Sequence, residues 1–115
     1  MKHVLIISLT FCIATVWNPS SSFATGPEKD GKTIFVEAKC NMCHTVETAD
    51  IEKAGKGKST DLSNVGVKHN ADFLFKYLKK QEMIGDKKHV AAFKGNDDDL
   101  KLLAKWLGTL KTAAN

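Results

Sequence analysis

The pentapeptide Cys40-Asn41-Met42-Cys43-His44 carries two thiols and an imidazole in the order C-x-x-C-H, the attachment sequence for a c-type haem. Each thiol can add to one vinyl group on the same edge of a porphyrin, and the histidine that follows at once is carried beneath the iron as an axial ligand. Two other uses of such a pair fit less well. A thioredoxin-like C-x-x-C follows a buried strand and opens a helix, whereas residues 32–39 here read as a helix running into the motif. A zinc finger needs its histidines with three to five residues between them, and nineteen lie between His69 and His89. The motif therefore points to one covalent haem c, tethered through Cys40 and Cys43, with His44 as the proximal iron ligand.

The chain around this motif has 115 residues, 43% of them apolar and 26% charged, which describes a small globular protein rather than a disordered or fibrous one. Its first 24 residues differ from the rest. A short charged start at Lys2, an uncharged apolar run from Val4 to Trp17, and small residues at Ser22 and Ala24 make a secretory signal peptide, residues 1–24, cut after Ala24. That run is about 14 residues, short of the ~20 that a spanning helix needs, and no later stretch comes close, so no membrane span is expected in the mature chain. The expectation is an exported, soluble domain of residues 25–115 in the periplasm or an equivalent extracytoplasmic compartment. Cys12, the third cysteine, should leave with the leader; Phe11 before it and its place within the apolar run argue against lipid attachment.

All 17 basic residues are lysine, against 13 acidic ones, for a formal net charge of +4. With no arginine and no basic run longer than two, nucleic acid finds little to bind. A domain this short has a marginal hydrophobic core, which a large cofactor would help to complete.

The mature chain reads as helices joined by loops, with no alternating stretch that predicts a strand. Residues 28–39 form a first helix, with Asp30 able to cap it and Gly31 a break that close packing would explain. Residues 47–63, rich in Gly, Lys, Ser and Asp, read as loop. Asn70 is an N-cap for a helix over 71–80, and residues 81–94 are irregular again. Asn96 caps the last helix, Asp97, Asp98 and Asp99 suit its positive N-terminal end, and Leu100, Leu103, Ala104, Leu107 and Leu110 form an apolar stripe with Trp106 beside it. The stripe reads as core. The sequence predicts a one-domain, all-α protein of three to five helices around one haem.

From Gly26 to Leu110 the sequence resembles the class I cytochromes c. Beyond the C-x-x-C-H motif, Gly31 and Phe35 match the small residue and the aromatic of that family's first helix, Leu103 and Trp106 match residues of its last, and Asp61-Leu62-Ser63-Asn64-Val65-Gly66 matches the stretch ahead of its middle helix. The resemblance implies a class I cytochrome c fold in which the first and last helices cross in contact. It also implies a sixth iron ligand from the loop before the last helix. There the sequence departs from the family, which commonly supplies a Met followed by Pro, because no Pro occurs after Pro27. His89, seventeen residues before Trp106, fits the family's spacing better than Met83, twenty-three before it. Met83 remains the alternative distal ligand, with an open or water-bound iron as the third case. His69 reads as a surface or propionate contact, and Met42 as a packing residue.

A haem with two fixed axial ligands has no open position for substrate, so the resemblance implies an electron carrier rather than an enzyme, and a second imidazole implies a low potential. A displaceable His89 would instead make a binder or sensor of nitric oxide or carbon monoxide, and a small haem protein can also be a subunit of a larger oxidoreductase. Lys87 and Lys88 adjoin His89, so the implied partners are redox proteins with an acidic docking face.

Overall fold

The computed structural model describes residues 29–112, so the expected leader over 1–24, its cleavage after Ala24 and Cys12 lie outside the described residues. Asp30 holds an extended backbone and its carboxylate accepts a 2.7 Å hydrogen bond from the Thr33 N–H, starting helix α1 (Gly31–Glu37). α1 buries Ile34 and Phe35. Past its end Lys39 turns left-handed at φ 60°, which throws the chain into the 3₁₀ turn Cys40–Met42.

Helix α4 (Asp97–Thr109) starts in the same way, with the Asn96 side-chain oxygen accepting from the Asp99 N–H at 2.7 Å. It buries Leu100, Leu103, Ala104 and Leu107, as the stripe predicts, while Leu110 beyond its end is only half-buried. α1 crosses α4 at Gly31. A Cβ there would stand 2.2 Å from the Trp106 Cβ and 2.7 Å from the Leu102 carbonyl oxygen, so only a residue without a side chain allows the approach. Phe35 then meets Trp106 edge to face, with ring centres 5.6 Å apart.

Helix α3 (Ala71–Leu78) is capped by Asn70, whose side-chain oxygen accepts from the Phe73 N–H at 2.8 Å, and it sets Leu74 into the core against α4. Its C-terminal neighbour Lys79 pairs with Asp97 at the start of α4 at 2.9 Å. This contact joins the two ends of the loop that carries Met83 and His89. A fourth helix, α2 (Val65–Lys68), is a single turn that helical periodicity is too short to reveal. Gly66 on α2 donates its N–H to the Leu110 carbonyl at 2.9 Å and lies where a Cβ would meet the Gly108 carbonyl oxygen.

The fold is all-α with four helices among the described residues, and the predicted absence of strands needs one correction. Strand β1 (His44–Thr45) pairs in parallel with strand β2 (Thr60–Asp61), in the register His44 with Thr60 and Thr45 with Asp61. Two residues per strand are too few to leave an alternating pattern.

The loop between them is anchored from inside. Val46 and Ile51 are both buried and bridged by mutual backbone hydrogen bonds of 3.0 Å. One oxygen of Asp61 accepts from the Thr45 hydroxyl, the Glu47 N–H, and both the N–H and hydroxyl of Ser63. Ser63, buried, also accepts from the Thr48 N–H.

Candidate haem-binding site

The 3₁₀ turn eclipses residues three apart, and so sets Cys40 and Cys43 on one side of the backbone. The Cys43 N–H donates to the Cys40 carbonyl at 3.1 Å. Neither cysteine is in a disulfide. Cys40 is half-buried against the hydrophobic core, and burial pushes its thiol up to about 11; Cys43 is exposed.

The loop between β1 and β2 clamps this turn from behind, with the Ala54 N–H donating to the Asn41 carbonyl at 2.8 Å. Gly55 lies so close that a Cβ would stand 2.1 Å from the Met42 carbonyl oxygen. It is the Met42 backbone, then, that packs. Its side chain, expected to be a packing residue, is 46% exposed.

β1 carries His44 out of the motif, and its pairing with β2 puts the His44 Nδ1 3.2 Å from the Thr60 carbonyl oxygen. A carbonyl can only accept, so Nδ1 carries the proton and Nε2 keeps a free lone pair. Burial lowers the His44 pKa below its ordinary 6.5; the Thr60 bond opposes this and the nearby His89 adds to it. This tautomer is the one a metal-ligating imidazole requires, and the lowered pKa favours the neutral ring.

His89 sits in the loop between α3 and α4 and repeats the arrangement, its Nδ1 bonded to the Ala91 carbonyl oxygen. Although forty-five residues separate them in sequence, the His44 and His89 rings face each other with centres 6.0 Å apart and planes 22° apart. Two metal–imidazole bonds of about 2 Å, with a ring radius of about 1 Å added at each end, span about 6 Å. The separation of the two ring centres is thus the one that a metal ion held between two imidazoles requires. Among the described residues no cluster of three or more His, Cys, Asp or Glu stands ready for a bare ion. Two imidazoles beside a pair of thiols fit iron whose other ligands come from a porphyrin.

Met83, the alternative distal ligand, is 51% exposed and stands just before a surface turn that an Ile84–Lys87 bridge closes. His69 stacks on Phe73 with ring centres 4.6 Å apart. Sequence reasoning missed two residues at the site. Thr60 acts through its backbone carbonyl, which leaves no trace in residue type. Tyr77, whose ring meets His89 edge to face at 5.4 Å and 74°, could have been found from its four-residue spacing with His69 and Phe73.

No helix among the described residues is long and apolar enough to cross a membrane. No significant match is found among curated proteins or among solved structures. The model of the cytochrome c family, by contrast, matches residues 28–111, from just before α1 to just past α4. The chain thus belongs to the cytochrome c family, whose members carry a covalently bound haem c.

Proposed function

We propose that this electron-transfer protein is tethered to its haem through Cys40 and Cys43, holds the iron between His44 and His89, and works at low potential. The observation that carries the reading is the facing pair of imidazoles, 6.0 Å apart, each with its Nδ1 committed to a backbone carbonyl. When bound, the haem supplies a one-electron couple at the iron. The chain's own part is to keep the surroundings of that couple constant. Thr60 and Ala91 orient the two rings, and the clamped turn at residues 40–43 fixes the tether. A thioether ligand favours reduced iron, whereas a second imidazole is the better donor to oxidised iron and lowers the potential.

Lys87 and Lys88 are exposed beside His89 and support docking of an acidic redox partner, after export to an extracytoplasmic compartment. The same chemistry would serve as a haem subunit of a larger oxidoreductase.

His89→Met tests the ligand pair. The oxidised variant should gain the weak charge-transfer band near the red end of the visible spectrum that marks Met on ferric haem, and its potential should rise. Met83→Leu should change neither property. A band already present in the natural protein and abolished by Met83→Leu would make Met83 the ligand and overturn the low-potential reading.

A further inference from the structure

The face of α3 that meets the core consists of Leu74, Phe75 and Leu78. Phe73 and Tyr77 belong to neither the core nor the side chains packed on it, although both are large and half-buried. They stand instead in a column of rings at four-residue spacing. His69 lies on Phe73 at 4.6 Å and 17°, Phe73 lies beside Tyr77 at 5.9 Å and 14°, and Tyr77 meets His89 at 5.4 Å and 74°. Aromatic pairs at these separations attract beyond simple area burial, and the edge-to-face arrangement is directional.

His89 has need of such a neighbour. Its hydrogen bond to Ala91 spans two residues and ties the ring to nothing outside its own loop. Val90, next to it, is 93% exposed, and Ile84 and Met83 on the same loop are 42% and 51% exposed. Tyr77 is the ring contact that links His89 to a capped helix.

We infer that Tyr77, backed by Phe73 and His69, is a positioning residue that fixes the ring plane of His89 and slows its departure from the iron. The inference rests on the proposed ligation by His89. A Tyr77 ring at 74° to the imidazole restricts rotation about the iron–nitrogen axis and keeps the His89 plane at 22° to that of His44. Near-parallel imidazole planes perturb the iron d orbitals along the same direction and give a rhombic low-spin ferric signal. A twist toward perpendicular planes raises the largest g value.

The test is electron paramagnetic resonance of the oxidised holoprotein together with carbon monoxide uptake by the reduced one. Tyr77→Phe keeps the ring and should leave both as in the natural protein. Tyr77→Leu should shift the signal to a larger leading g value and speed carbon monoxide uptake about two- to tenfold over the natural protein, the factor that loss of one aromatic pair amounts to. Phe73→Leu, one ring further along, should move both in the same direction by less. Natural signals and rates in Tyr77→Leu overturn the inference, as do natural signals in Phe73→Leu if Tyr77→Leu yields no holoprotein. A Tyr77→Phe protein that behaves like Tyr77→Leu also overturns it, because the hydroxyl and not the ring would then be the contact. His89→Ala separates the two levels. If it leaves the low-spin signal unchanged, His89 is not the ligand and the role of Tyr77 falls with that assignment; if it abolishes the signal while Tyr77→Leu changes nothing, only the role of Tyr77 falls.

Discussion

Two thiols three residues apart on a 3₁₀ turn and a histidine at the head of a short strand are a small amount of structure, but each constrains the others. The turn sets the thiols on one side, and the strand pairing fixes the tautomer of the next residue. Removing one thiol should therefore spare the ligand and harm only the tether. Cys40→Ala and Cys43→Ala are expected to lower the yield of red holoprotein sharply. In the natural protein the haem should stay with the polypeptide in acidified organic solvent, and pyridine haemochrome spectra of both fractions would check this. Haem that extracts freely from the natural protein would contradict the covalent assignment.

At the scale of elements, the crossing of α1 and α4 is the most constrained contact. Gly31→Ala places a methyl group against both the Trp106 side chain and the Leu102 carbonyl, and overpacking of this kind costs about 1–3 kcal/mol. The better helix propensity of Ala recovers at most ~1 kcal/mol, less at a helix end, so a lower denaturation midpoint in guanidinium is expected. The loop between β1 and β2 should respond to acid. Burial works to raise the Asp61 pKa, but hydrogen bonds from Ser63, the Glu47 N–H and Thr45 outweigh it and hold the carboxyl below its ordinary 3.8. A carboxyl lowered in the folded state contributes stability above its unfolded pKa and loses it as pH falls through the folded one. Stability should thus drop below about pH 4, and Asp61→Asn, which keeps the acceptor oxygen but not the charge, should flatten that part of an acid unfolding curve. The sequence made α1, α3 and α4 legible because each begins with an Asp or Asn cap and sustains a helical apolar period. The one-turn α2 and the two-residue strands were not, since their stability comes from backbone contacts to Leu110 and Thr60 rather than from side-chain pattern. The same division holds at the site: thiols and imidazoles announce themselves by type, while Thr60 contributes only a carbonyl.

Taken whole, the core is small. Nine deeply buried apolar side chains hold the described residues together, in a protein class whose net stability is only about 5–15 kcal/mol. Deleting the largest apolar group, the haem, should leave too little burial to offset chain entropy. The apoprotein is therefore expected to lose most of its helical circular dichroism, and a cooperative, helical apoprotein would show that the polypeptide core suffices alone. The facing imidazoles also have a meaning in polymer terms. On the proposed ligation, His44 and His89 close a ring of about 45 residues through the iron, and the relation that describes disulfide cross-links assigns such a ring about 4 kcal/mol of unfolded-state entropy if the bond survives unfolding. The distal bond would then act as a staple whose strength depends on the oxidation state of the metal, so that gaining or losing one electron changes how tightly the chain is tied to itself.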